Sequence, residues 1–149
     1  MSSDNTELVA EYITPQTPQT IYYNRYYDII LTIKINKEIL EDYKENIEYL
    51  YKLYHRIIPN RKHKRKLKEM YYDDKEVLGS YRKETTKLYK DLVNLFNEIT
   101  NNDNVDYMKI LNDIRTSDKF TEEDNIEYHA VINDALDFID YVNTLPFEL

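Results

Sequence analysis

Residues 21–58, IYYNRYYDIILTIKINKEILEDYKENIEYLYKLYHRII, decide the fold. Apolar or aromatic side chains recur there at alternating steps of four and three: Tyr22, Tyr26, Ile29, Ile33, Leu40, Tyr43, Ile47, Leu50, Tyr54 and Ile57. Only Asn36 interrupts the row. Such a spacing keeps one apolar stripe on a single side of a helix and makes a heptad seam. The segment predicts one long helix, about 57 Å at 1.5 Å per residue. A strand over residues 26–36 is the competing reading, since that run is rich in β-branched side chains. A strand needs a partner, and no other segment reads as one.

The pattern resumes beyond Pro59 with Leu67, Tyr71, Leu78, Tyr81, Leu88, Leu92, Leu95 and Ile99, which predicts a second helix over about 64–99. Gly79 lies inside it and suggests a kink or the close approach of another helix. Two long helices joined by a short link fold back antiparallel. Their seams then register, with Tyr43 facing Tyr81, Ile47 facing Leu78, Leu40 facing Thr85 and Ile33 facing Leu92. Asn101-Asn102-Asp103-Asn104 breaks the pattern and supplies caps for a short helix at about 104–115, whose apolar side is Val105, Met108, Leu111 and Ile114. Thr121-Glu122-Glu123-Asp124 resembles a capping box and predicts a last helix over about 121–143. The expected fold is therefore all-α. A long helical hairpin (21–58 and 64–99) and two shorter helices make a four-helix bundle over 21–149. Residues 1–20 form an extended N-terminal arm, because Pro15 and Pro18 oppose helix in the residues before them.

The 149 residues suit one domain. One glycine argues against a turn-rich β fold and against a glycine-rich phosphate loop. The absence of cysteine excludes disulfides, thiolate metal sites and a cysteine nucleophile. The longest apolar run, Ile29-Ile30-Leu31, is far too short to span a membrane, and the N-terminus lacks a signal-peptide pattern. A cytoplasmic protein is expected. Richness in Asn, Ile, Lys and Tyr suggests an AT-rich genome, and with it a viral or mobile-element protein working in the host cytoplasm or the virion.

Charge is laid out unevenly. Seven Lys or Arg lie between Arg56 and Lys68, namely Arg56, Arg61, Lys62, Lys64, Arg65, Lys66 and Lys68, with His63 among them. No acid falls between Glu48 and Glu69. Taking these seven from the net charge of −8 leaves −15 on the rest of the chain. Arg56 suits the negative end of the first helix dipole, but Lys62–Lys68 oppose the positive end of the second. Local helix stability does not explain the run, which points to binding of a phosphate backbone or an acidic protein surface. Residues 101–149 are the counterpart, with twelve acids against three Lys or Arg, net −9. Glu122, Glu123, Asp134 and Asp137 are their candidate contacts, either for a neighbouring copy or for a basic groove on a partner. Tyr23, Arg25 and Tyr27 form a third candidate surface, of residue types favoured at protein interfaces, though packing against the last helix is the plainer account of the two tyrosines.

The catalytic search finds no constellation. His55, His63 and His129 are scattered, with no carboxylate at ligand spacing, so no metal and no cofactor is expected. Arg56 and His63 stand at an Arg-x6-His spacing that resembles HEPN-type ribonucleases, an all-helical group. Pro59 falls between them and takes the pair off a common helical face, so the family is not adopted. The reading is a non-enzymatic interaction protein that binds a host macromolecule or assembles with itself. It has no small-molecule substrate and no membrane partner. The alternative is nucleic-acid binding through the basic tip, with an all-helical ribonuclease as a distant third.

Overall fold

Thr17 and Pro18 begin the first helix. Pro18 sits at its first position, where a missing N–H is no loss and φ is already set for a helix. The Thr17 hydroxyl accepts from the Thr20 amide at 3.3 Å, and the Thr17 carbonyl accepts from the Ile21 amide. The computed structural model describes residues 16–56 and 60–144. Within them run α1 (Pro18–Arg56), α2 (Arg61–Thr100), α3 (Tyr107–Arg115) and α4 (Tyr128–Asn143), with no strand. The long helix thus starts three residues earlier than the heptads suggest and takes in part of the expected arm. Residues 1–15, the expected stop at Pro59 and the tail after Thr144 lie outside the described residues.

Asn60 caps α2, its side chain accepting from the Lys62 and His63 amides at 3.1 and 3.4 Å. The hairpin is antiparallel, as the arithmetic of the seam requires. The Tyr43 and Tyr81 rings stack with centroids 6.4 Å apart. Arg25 pairs with Glu98 at 2.9 Å near the base, and Lys64 lies 4.9 Å from the Tyr54 ring near the tip. The strand reading of 26–36 is thereby set aside. Nothing lies within 4 Å of where a Cβ at Gly79 would stand, so no helix approaches closely there.

The seam divides into two apolar cores. One lies at the base, around Tyr26, Ile30, Ile33, Leu92, Leu95 and Ile99, closed by Ile110, Leu111 and Ile114 of α3. The other lies towards the tip, around Leu40, Ile47, Leu50, Leu67, Tyr71 and Leu78. Between them sit the buried polar side chains Asn36 and Thr85. Thr85 satisfies itself on the Tyr81 carbonyl at 2.7 Å, whereas the Asn36 amide nitrogen has no hydrogen-bond partner. Ile30 is buried where the strict heptad favours Ile29, and Tyr89 where it favours Leu88, because the base of the hairpin also meets the short elements and needs a wider apolar face.

Two predicted elements change. The third helix begins at Tyr107, capped by Asp106, and buries Ile110 rather than Met108, which is 57 % exposed. Its start is clamped to α1 by the Gln19 side-chain amide, which accepts from the Asp106 amide at 2.7 Å and donates to the Asp106 carbonyl at 3.0 Å. The last helix begins at Tyr128, not at residue 121. The Asp124 carboxylate accepts from both the amide (2.7 Å) and the hydroxyl of Thr121, and Asn125 accepts from the Glu127 amide. These local bonds offer the backbone an alternative to helix. Residues 116–127 therefore form an irregular connection, pinned to the base core by buried Phe120 and Ile126.

The α4 helix runs alongside the hairpin in the direction of α1. Asp134 pairs with Lys37, and one step further along Tyr141 covers Lys44, while Asn143 bonds Arg82. Gly79 sits well inside a helix in open space, so Gly79→Ala should raise stability by about 0.5–1 kcal/mol in urea titration.

Candidate functional site

By the level of Lys44 and Arg82 the bundle has run out of covering elements among the described residues. Among the described residues, nothing but α1 and α2 builds the hairpin beyond Ile47 and Leu78. From Ile47 to Arg56 this two-helix arm extends about 14 Å at 1.5 Å per residue. The basic cluster occupies its end. Arg56, Arg61, Lys62, His63, Arg65, Lys66 and Lys68 are exposed, and Lys64 is half-buried against Tyr54. None of them makes an ion pair among the described residues. Their charge is thus left uncompensated, at the end of α2 where the helix dipole adds to it.

The arm also exposes large apolar side chains: Tyr49 at 62 %, Met70 at 42 % and Tyr72 at 39 %. His55 lies against the rings of Tyr51 (4.5 Å) and Tyr54 (5.4 Å), and Lys75 lies over Tyr71 and Tyr72. Arg56 closes α1 while His63 stands in the first turn of α2, so the two share no helical face. No three His, Cys, Asp or Glu side chains converge on a metal-sized space among the described residues.

The tyrosine cluster is engaged internally. Tyr27 packs edge-on against Phe120 at 5.7 Å and its hydroxyl meets Ser117 at 3.4 Å; Tyr23 leans on Tyr27. Arg25 lies over the Tyr22 ring at 5.2 Å and pairs with Glu98. These half-buried rings fasten the 116–127 connection to α1, whereas Arg25 and Glu98 stay on the surface.

The acidic residues separate into two groups. Glu122 is exposed on a hollow of about 520 Å³ next to Arg115, which Glu123 also lines. Glu123, with Asp134 and Asp137, also lines a cleft of about 540 Å³ between the middle of the hairpin and the 116–127 connection. Its apolar floor is Ile30, Ile33, Phe120 and Ile126. Lys34 crosses one wall, donating to Asp124 at 2.7 Å and to the Lys119 carbonyl at 2.8 Å. Burial alone would raise the Asp124 carboxyl. The Lys34 ammonium and the two Thr121 donors outweigh it and hold the group below the usual carboxylate range. Tyr89 also lines the cleft; it is 92 % buried by its 8 % exposure, and its hydroxyl has no hydrogen-bond partner. Burial, reinforced by the Asp134 carboxylate, pushes that phenol far above the usual tyrosine range.

The sequence pointed to neither the cleft nor Lys44. Lys44 reads as solvent-facing, yet it is buried, with its ammonium 3.2 Å from the centre of the Tyr141 ring and 3.6 Å from Glu41. Its position beside Tyr43 on the seam was the available signal.

No family model matches the chain, and neither the curated proteins nor the solved structures hold a significant match to it. Among the described residues no helix is long and apolar enough to cross a membrane.

The Lys34–Asp124 pair ties the connection to α1. The lowered Asp124 pKa stabilises the fold above the ordinary carboxylate range, and that stabilisation is lost as pH falls through the folded value. Asp124→Asn should cost about 1–2 kcal/mol at neutral pH. The gap from the wild type should close below about pH 4, followed by denaturant titration across pH.

Proposed function

We propose that this chain is a non-enzymatic interaction protein that grips an acidic surface on a partner protein with the end of its hairpin arm. The observation that carries the reading is the unpaired basic cluster at the tip of a two-helix projection. Side chains that serve folding alone would be placed where they lower the energy of their own helix. Six cations at the start of α2, Arg61, Lys62, Lys64, Arg65, Lys66 and Lys68, do the opposite, and no acid nearby offsets them. Exposed Tyr49, Met70 and Tyr72 flank them, and aromatic, Met and Arg side chains are the types that carry protein interfaces. The composition suits a viral or mobile-element origin, which makes a host protein the expected partner.

A second reading places nucleic acid at the same tip. It is favoured by Lys and Arg density and disfavoured by the charge of the remainder, −15, which repels a phosphate backbone that extends past the tip. Self-assembly, with the tip of one copy against the acidic C-terminal half of another, is a third use of the same charges.

One variant separates these. Changing Arg61, Lys62, Arg65 and Lys66 together to Glu places acids at a helix N-terminus, where they favour the helix, so the fold is retained. Pull-down from host lysate at moderate salt is run with wild type and variant, each with and without nuclease. The protein-partner reading expects a stoichiometric protein complex that survives nuclease and is lost with the variant. Nucleic acid recovered only without nuclease, with affinity falling steeply with salt, would move the function to nucleic acid. Salt-sensitive oligomers of the purified chain, abolished by the variant, would establish self-assembly. A complex indifferent to the variant would sink the tip altogether.

A further inference from the structure

The way α4 is held shows what one flank of the hairpin takes. With Ile33, Leu40 and Ile47 counted as a positions of α1, and Tyr71, Leu78 and Thr85 as those of α2, cations stand at the flanking e positions of both helices. On α1 they are Lys37 and Lys44. On α2 they are Arg82, Lys75, Lys68 and Arg61, one at every seventh residue. The two rows share one side of the hairpin, because α4 touches both. It turns Ala135, Phe138 and Ile139 inwards, sets Asp134 on Lys37 and Tyr141 over Lys44, and bonds Arg82 through Asn143. The flank therefore already holds one amphipathic helix with acids on its polar side, seated by an apolar stripe between cations. Asn143 is the last residue of α4, and Arg82 is the first of the four cations on α2. From Arg82 to Arg61 the row runs on for about 30 Å at 1.5 Å per residue. An aromatic strip goes with it. The rings of His55, Tyr51, Tyr71 and Tyr72 follow one another at 4.5, 6.4 and 5.2 Å, with Lys75 over the last two. Tyr72 is 39 % exposed, and His55, Arg61 and Lys68 are exposed as well. Arg61 and Lys68 make no ion pair among the described residues.

We propose that this continuation of the α4 flank is where the arm grips its partner, and that the partner presents an acidic amphipathic helix there. The inference rests on the partner-protein reading of the basic tip and narrows it to one face. The incoming helix lies in line with α4, with its apolar stripe on Tyr51, His55 and Tyr72. Its acids, one heptad apart, meet Lys68 and Arg61. An apolar stripe in a groove with charges along the rim is a recurring way to recognise a helix. Lys62, Arg65 and Lys66 fall at f, b and c positions, away from the row, and supply only long-range attraction. The occupant is a different protein rather than a second copy, because the acidic helix of each copy already lies on its own hairpin.

The test uses the full chain and a synthetic three-heptad peptide with Leu at a and d and Glu at e and g, followed by amide NMR shifts. The same peptide with Lys in place of Glu is the control. The expected result is a saturable shift of the Tyr51, His55 and Tyr72 amides with the Glu peptide and none there with the Lys peptide. Arg61→Glu with Lys68→Glu should weaken the Glu peptide at least about 10-fold, since like charges then face each other. Lys62→Glu with Lys66→Glu changes the charge by the same amount off the row and should weaken it less than about 3-fold, through long-range attraction alone. The Lys peptide should now shift the same three amides in the Arg61→Glu, Lys68→Glu variant, a gain that a misfolded chain would not show. Equal weakening by the two pairs overturns the row while leaving the basic tip as the binding element. Wild-type affinity in both pairs sinks the tip and the row together. Tighter binding to a Leu145→Ser, Phe147→Ser variant would assign the flank to the chain's own residues 145–149 and overturn the proposal. Sedimentation of the chain alone covers the remaining occupant: a dimer that the Glu peptide dissociates would assign the flank to a second copy and overturn it too.

Discussion

Neither α1 nor α2 is able to hide its apolar row by itself, and each is close to 60 Å long, so the two must lie against one another from end to end. Burying that shared seam stabilises the molecule, and every other element is placed relative to it. Antiparallel pairing brings the chain back to the base of the hairpin at Thr100, which is why α3 and the connection after it pack there. It also sends the only loop between the long helices to the far end, and the cations around that loop go with it. Asn36 and Thr85 interrupt the seam near its middle and split it into a base core and a tip core. A buried polar layer costs stability while opposing slippage of one apolar row past the other.

The two halves of the seam have different surroundings. At the base, α3, Phe120 and Ile126 complete a core with several layers of side chains. Towards the tip, α4 supplies Phe138 and Tyr141 and ends at Asn143, and beyond it the described residues leave two helices with one shared stripe. A two-helix arm buries little apolar area per residue, and aromatic side chains such as Tyr51, Tyr54 and Tyr71 add to the cover of its leucines. The same economy leaves Tyr49, Met70 and Tyr72 on the surface. Large apolar groups and unpaired cations thus coincide on the part of the molecule that has the fewest covering elements among the described residues.

The opposite flank of the hairpin shows the reverse economy. The 116–127 connection uses one apolar plug near each end and a lysine from α1 to hold itself down. The connection is not helical, and α4 begins only at Tyr128. The cleft is the space left between them. Its acids come from a segment that is acidic overall, and its buried phenol comes from α2, where Tyr89 replaces the strict heptad position.

The period of apolar residues by itself determined the two long helices, the hairpin, its register and the position of the basic cluster at the turn. These are one-dimensional facts, and a heptad converts them directly into geometry. The break at Asn101–Asn104 was legible for the same reason. The tertiary structure alone decided what depends on several segments meeting. Thr121–Asp124 carries the letters of a helix start, but Lys34, ninety residues away in sequence from Asp124, helps hold it as a turn. Lys44 looks solvent-facing until Tyr141 covers it, and Tyr89 looks like any half-buried tyrosine until the walls around it close without offering its hydroxyl a partner. Periodicity records which face of a helix is buried. It does not record what buries it, and a cleft is made of exactly that missing information.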